Sequence, residues 1–98
     1  MHPFTKQLID SGKLPMFEIP VIDKRTKEED FIVCDISVNG NKLEAQRIGL
    51  NEKEEKSDKI AFNSVDIDMD FSLDHHLQEL YEEVINSIIG SEFYQLTE

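Results

Sequence analysis

The sequence predicts an α+β fold, an antiparallel three- to four-stranded meander sheet packed by a long C-terminal amphipathic helix. Three observations point there. Short runs of alternating apolar and polar residues fill much of the chain before residue 72. An Asn39-Gly40 pair separates two of these runs. After residue 72 the apolar period becomes helical and holds until Gly90.

A short helix is expected over residues 3–10, with Pro3 in its first turn, Phe4, Leu8 and Ile9 toward the core, and Ser11-Gly12 at its end. Residues 16–22 follow as a strand. Phe17, Ile19 and Val21 share one side, and Met16, Glu18 and Pro20 the other. Proline lacks the ladder N–H, so this strand belongs at an edge. Residues 23–30 read as a charged, solvated connection.

Asn-Gly suits a two-residue type I′ turn. With that turn Val38 opposes Asn41, Ile36 opposes Leu43, Cys34 opposes Ala45 and Ile32 opposes Arg47, all on one largely apolar face. The other face pairs Ser37 with Lys42, Asp35 with Glu44 and Phe31 with Ile48. Residues 51–58 are a polar loop, and a further strand is expected over 59–71. Val65, Ile67, Met69 and Phe71 alternate there with Asp66, Asp68 and Asp70. Ile60 and Phe62 have the opposite parity, which calls for a bulge at Asn63-Ser64 or for burial of both faces.

The main helix is capped by Ser72 or Asp74 and closed by Gly90. Leu73, Leu77, Leu80, Tyr81, Val84, Ile85, Ile88 and Ile89 fill about half of its circumference. That is wide for one sheet face, so part of the stripe is expected to meet the N-terminal helix or a second copy of the chain. The tail, with Phe93, Tyr94 and Leu96, is apolar enough to dock.

A chain of 98 residues makes one domain, able to bury roughly 60–70% of its unfolded surface. The net charge is −11. All ten Lys and Arg precede Ile60, leaving nine carboxylates and no Lys or Arg in the last 39 residues. Such a field repels phosphate backbones and anionic lipid and attracts cationic surfaces. Neither nucleic acid nor membrane is an expected direct partner. The lone Cys34 excludes an internal disulfide and lies in an apolar run, as a buried small hydrophobe does. With no secretory signal pattern at its start and no bilayer-length apolar stretch, the chain reads as cytoplasmic.

Asp66, Asp68 and Asp70, set on one face of a strand, would stand ~7 Å apart. Such an array can hold a divalent cation, or it can be the acidic face of a half-buried strand. His75, Glu79 and Glu82 line one side of the helix, the start of a ligand set with no evident fourth member. Glu54-Glu55-Lys56 matches a nuclease fragment only weakly and falls in a loop. Asp35 opposite Glu44 would set two carboxylates face to face. Phosphate-binding glycine loops, nucleophile elbows and Cys-x-x-Cys pairs are absent from the sequence. The helix–strands–helix order resembles that of double-stranded-RNA-binding domains. Yet the charge has the wrong sign, and Asp74, His75 and His76 stand where that family's lysines would be.

No enzyme and no cofactor are therefore expected. The expectation is a non-catalytic acidic module that docks on a basic protein surface, an inhibitor or DNA mimic facing a nucleic-acid-binding protein. Its contact residues would be Asp35, Glu44, Asp66, Asp68, Asp70, Glu79, Glu82 and Glu83. The alternatives are an assembly subunit dimerising through the helix, and a metal-dependent site built on Asp66, Asp68, Asp70, His75 and Glu79.

Overall fold

Residues 16–50 and 59–97 are described by the structure, a computed structural model. The expected helix over residues 3–10 and the loop over 51–58 lie outside them. The described elements run β1 (Met16–Asp23), β2 (Glu29–Asn39), β3 (Lys42–Arg47), β4 (Phe62–Asp66), α1 (Leu73–Ile89) and β5 (Tyr94–Leu96). The strands form one antiparallel sheet in the order β4-β3-β2-β1-β5, with α1 packed on one face. β1 to β4 are a meander, as expected, and the tail adds a fifth strand.

Alternation decides which side chains meet the helix. Ile19 and Val21 of β1, Ile32, Cys34 and Ile36 of β2, and Leu43 and Ala45 of β3 are buried against Leu73, Leu80, Val84 and Ile88 of α1. Ile60, Ile67 and Tyr94 close the ends of this layer. Each large aliphatic side chain removed from water contributes about 1.5–3 kcal/mol, so this single layer is the fold's main support. Cys34 is buried and reduced within it.

The β2–β3 hairpin forms, but two residues out of the expected register. Asn39 pairs with Lys42, Val38 with Leu43, Ile36 with Ala45 and Cys34 with Arg47. Gly40 and Asn41 are therefore the loop residues. Gly40 has φ +61 while Asn41 keeps a negative φ, the pattern of a type II′ turn. Asn41 is then placed to hold the next strand. Its carbonyl accepts from the Ile67 amide at 2.9 Å, and its Nδ2 donates to the Ile67 carbonyl at 3.2 Å. A slip of two keeps every side chain on its expected face, which is why the alternation could not reveal it.

β1 is an edge strand for only part of its length. β5 pairs with Val21, Ile22 and Asp23 and stops at Pro20, whose carbonyl accepts from Thr97. The Pro20 nitrogen faces that same side, so the missing N–H falls where the ladder with β5 gives out. The β1–β2 connection is shorter than expected, spanning Lys24 to Glu28. The Asp23 carboxylate organises it by accepting from the Arg25 amide at 2.8 Å and from the Arg25 guanidinium at 3.0 Å.

The strand expected over residues 59–71 is much shorter. β4 begins at Phe62, and Ile60 is buried from within the preceding turn, so neither a bulge nor a two-sided strand is needed to explain its parity. The strand ends at Asp66. Beyond Ile67 the chain turns, with the Phe71 amide donating to the Asp68 carbonyl at 3.0 Å and the Asp70 amide to Asp68 Oδ1 at 2.9 Å. An aspartate that bonds the backbone two residues on favours a turn over continued strand. Met69 and Phe71, expected on the apolar side of a strand, are exposed there instead.

The helix ends fall where the sequence places them. Ser72 Oγ accepts from the His75 amide at 3.2 Å, and Asp74 lies in the first turn, where the helix dipole favours a negative charge. Gly90 closes the helix with φ −83 rather than in the left-handed region. No basic residue occupies the last turn, but Lys24 Nζ reaches across from the β1–β2 connection to the Ser91 carbonyl at 3.1 Å.

Candidate functional site

The acidic residues singled out from the sequence do not converge. The fold distributes them over two opposite faces and the turn between. Asp35 and Glu44 project from the side of the sheet turned away from α1, as does Asp66. Glu79, Glu82 and Glu83 project from the outward side of α1. Asp68 and Asp70 occupy the turn that joins β4 to α1.

Two expected juxtapositions are corrected by the register and by the end of β4. Asp35 is opposite Gln46, and Glu44 is flanked by Ser37 and Ser64, so no carboxylate faces another across the ladder. The array of Asp66, Asp68 and Asp70 along one strand face does not form, because only Asp66 is in the strand. Asp66 stands opposite Lys42, with 3.6 Å between its carboxylate and Lys42 Nζ. Both groups are well exposed, so this ion pair contributes little to stability.

On the helix, His75 and Glu79 do meet, with 3.3 Å between His75 Nε2 and Glu79 Oε1. The His75 ring also stacks on Phe71 with centroids 4.4 Å apart. Among the described residues no three His, Cys, Asp or Glu side chains come close enough together to hold a metal ion. His75 is thus occupied by a carboxylate on one side and an aromatic ring on the other.

His76, unlike its neighbour His75, is buried. It is 1% exposed, with Nδ1 at 2.7 Å from the Ser72 carbonyl and Nε2 accepting from the Asp68 amide at 2.9 Å. A backbone N–H aimed at Nε2 requires the neutral ring with its proton on Nδ1, which then donates to Ser72. The imidazole fastens the turn carrying Asp68 and Asp70 to the first turn of α1. A signal for this was present: His76 precedes Leu80, Val84 and Ile88 at four-residue steps on the buried side of the helix.

A cluster that the sequence reading missed secures the tail. Tyr94 is buried, and its phenol oxygen accepts from Arg47 at 2.9 Å and Arg25 at 3.2 Å. The Arg47 guanidinium also lies 4.7 Å from the centre of that ring, and Arg25 lies 4.8 Å from the centre of Phe93. Arg47 comes from β3 and Tyr94 from β5, so the sheet curls to bring them together. Arg25 remains bound to Asp23, and its guanidinium holds that carboxyl below the usual aspartate range, against the opposing effect of desolvation.

The molecule's charge is consequently sorted by layer. The described cations are Lys24, Arg25, Lys27, Lys42, Arg47 and Lys59, and none follows Lys59. α1 and the turn before it carry Asp68, Asp70, Asp74, Glu79, Glu82 and Glu83, all exposed. Among the described residues, His75 is the one basic side chain within ion-pair distance of them. No described helix is long and apolar enough to cross a membrane. The wide helical stripe is mostly absorbed by the sheet, leaving Tyr81, set edge-to-face against Phe17 with centroids 5.2 Å apart, and Ile89 exposed. No family model matches this chain, and no curated protein or solved structure shows significant similarity to it.

Proposed function

We propose that this protein is a non-catalytic interaction module that recognises a basic protein surface. One observation carries the reading: the helix layer exposes six carboxylates and contains no Lys or Arg to offset them. A surface of one sign produces a field that extends about a Debye length, roughly 8–10 Å at physiological salt, and steers a cationic partner before contact. A DNA mimic would need carboxylates spaced along a strand in the manner of phosphates. With Asp68 and Asp70 in a turn, the module reading does not depend on phosphate-like spacing.

The test is kinetic. Association with a lysine-rich synthetic peptide is followed as NaCl rises from about 50 to about 500 mM, a range over which the Debye length shrinks several-fold. The association rate should fall steeply with salt, and Glu79→Gln/Glu82→Gln/Glu83→Gln should lower it more than Glu28→Gln/Asp30→Asn/Glu92→Gln, which removes equal exposed charge elsewhere. Equal effects from the two triple variants, or rates indifferent to salt, would sink the reading.

A further inference from the structure

The side of the sheet turned away from α1 is not the polar surface that its position calls for. Strand pairing sets Met16, Asp35, Gln46 and Phe62 in one row across β1 to β4. The neighbouring row holds Glu18 opposite Val33, whose carbonyl accepts from the Ile48 amide at 3.0 Å. The next pairs Pro20 with Phe31. Phe31 is 60% exposed, Phe62 53%, Ile48 43% and Met16 37%. An antiparallel sheet with one face on the core ordinarily presents polar side chains on the other. Several large apolar residues grouped on that other face are the mark of a contact surface.

The charges around them narrow the choice of occupant. Among the described strand residues, Glu18, Glu29, Asp35, Glu44 and Asp66 share this face with one cation, Lys42, giving five negative charges against one positive, a net of −4. Pairing two copies through it would bring two such faces together and desolvate their carboxylates, an arrangement that Coulomb repulsion opposes. A partner bearing both cationic and apolar side chains meets no such penalty. Its Lys or Arg groups would reach Glu18, Asp35 and Glu44 while its apolar groups cover Phe31, Val33, Ile48 and Phe62.

We propose that the outward face of the sheet is the docking surface of this module, and that it takes a partner protein segment combining basic with apolar side chains. The inference rests on the acidic-module reading and assigns a division of labour within it. The helix layer attracts, and the sheet face grips. Stable interfaces bury an apolar centre within a polar rim, and on this face of the paired strands Phe31, Ile48 and Phe62 supply such a centre.

Two synthetic peptides of equal charge serve as probes, one alternating Lys with Leu and the other alternating Lys with Ser. Affinity is measured by calorimetry, and contacts are mapped by backbone amide shifts on the full chain. The Lys–Leu peptide should bind at least about tenfold tighter, a difference of about 1.4 kcal/mol, with its largest shifts on β1 to β4 around Phe31, Val33, Ile48 and Phe62. Phe31→Ser/Phe62→Ser should abolish that advantage while leaving the Lys–Ser affinity unchanged. Both side chains are exposed, so the variant should keep its melting temperature. An advantage that survives the variant, or shifts confined to α1, would overturn the sheet-face assignment and leave the module reading standing. Failure of both peptides to bind at low salt would overturn the two together. Light scattering that shows a dimer dissolved by the same variant would assign the face to a second copy. Shifts at these residues on deleting residues 1–15 would assign it to the chain's own N-terminal segment.

Discussion

Gly40 holds φ +61 in the first loop position of the β2–β3 hairpin, where a side chain has open space but the backbone conformation is unfavourable for any L-residue. Gly40→Ala should therefore destabilise by about 1–2 kcal/mol through the backbone alone. Gly90 differs: φ is −83, and an added Cβ would lie 3.6 Å from the Asn86 carbonyl oxygen, an ordinary contact. Gly90→Ala should be neutral or stabilise by up to about 1 kcal/mol, because it restricts the unfolded chain at no native cost. Urea unfolding midpoints of the two variants, moving in opposite directions or one alone moving down, check the contrast. Asp23 supplies a pH-dependent term. Hydrogen bonding from Arg25 lowers its pKa in the folded state, so its contribution is present above the unfolded aspartate range and disappears as pH falls below about 4. The stability gap between the protein and Asp23→Asn should accordingly be larger at neutral pH than at about pH 3, as urea melts at the two values would show.

The connection from β4 to α1 depends on an element contact more than on any strand pairing. His76 joins the Ser72 carbonyl to the Asp68 amide, and Ser72 in turn caps the helix. His76→Leu retains comparable bulk but leaves both backbone groups without this partner, and should cost about 1–3 kcal/mol. Long-range ¹⁵N–¹H spectra should find the imidazole proton on Nδ1, and a proton on Nε2 would contradict the bond from Asp68. The helix itself was legible because its signals are local: Ser72, Gly90 and a run of apolar residues at helical spacing each act within a turn or two. The hairpin was legible in its faces but not in its register, since Gly40 accepts a positive φ in either loop position. The acidic ladder was misread for a related reason. Alternation from Val65 to Phe71 looks the same in a strand as in a turn, and the Asx contact from Asp68 to Asp70 decides between them. The burial of His76 is legible in its four-residue spacing from Leu80, Val84 and Ile88, which outweighs its residue type.

At the scale of the whole molecule, two layers carry different kinds of surface. The helix layer carries charge of one sign beside exposed Met69, Phe71, Tyr81 and Ile89, whereas the sheet's outer face sets Phe31, Phe62 and Ile48 among carboxylates. The charge segregation was readable from the sequence, because every Lys and Arg precedes Ile60. The outer apolar face was legible only in part, since the hairpin already set Phe31 and Ile48 on the side away from the core, while Phe62 joined that face only once pairing with β3 fixed β4. A net charge of −11 on a chain of this size has a cost to the fold itself. The carboxylates of α1 lie within a few turns of one another with His75 as their one basic contact among the described residues, and like charges four residues apart on a helix oppose each other. Screening should relieve that repulsion. The melting temperature is therefore expected to rise between low and high NaCl, by roughly 4–8 °C for each kcal/mol of repulsion removed in a domain of this size. Glu79→Gln/Glu82→Gln/Glu83→Gln should raise the melting temperature at low salt and flatten its salt dependence, because the charges being screened are the ones removed. A triple variant as salt-sensitive as the parent would place the repulsion elsewhere in the molecule. It would also show that the helix layer is not the source of the field on which steering depends.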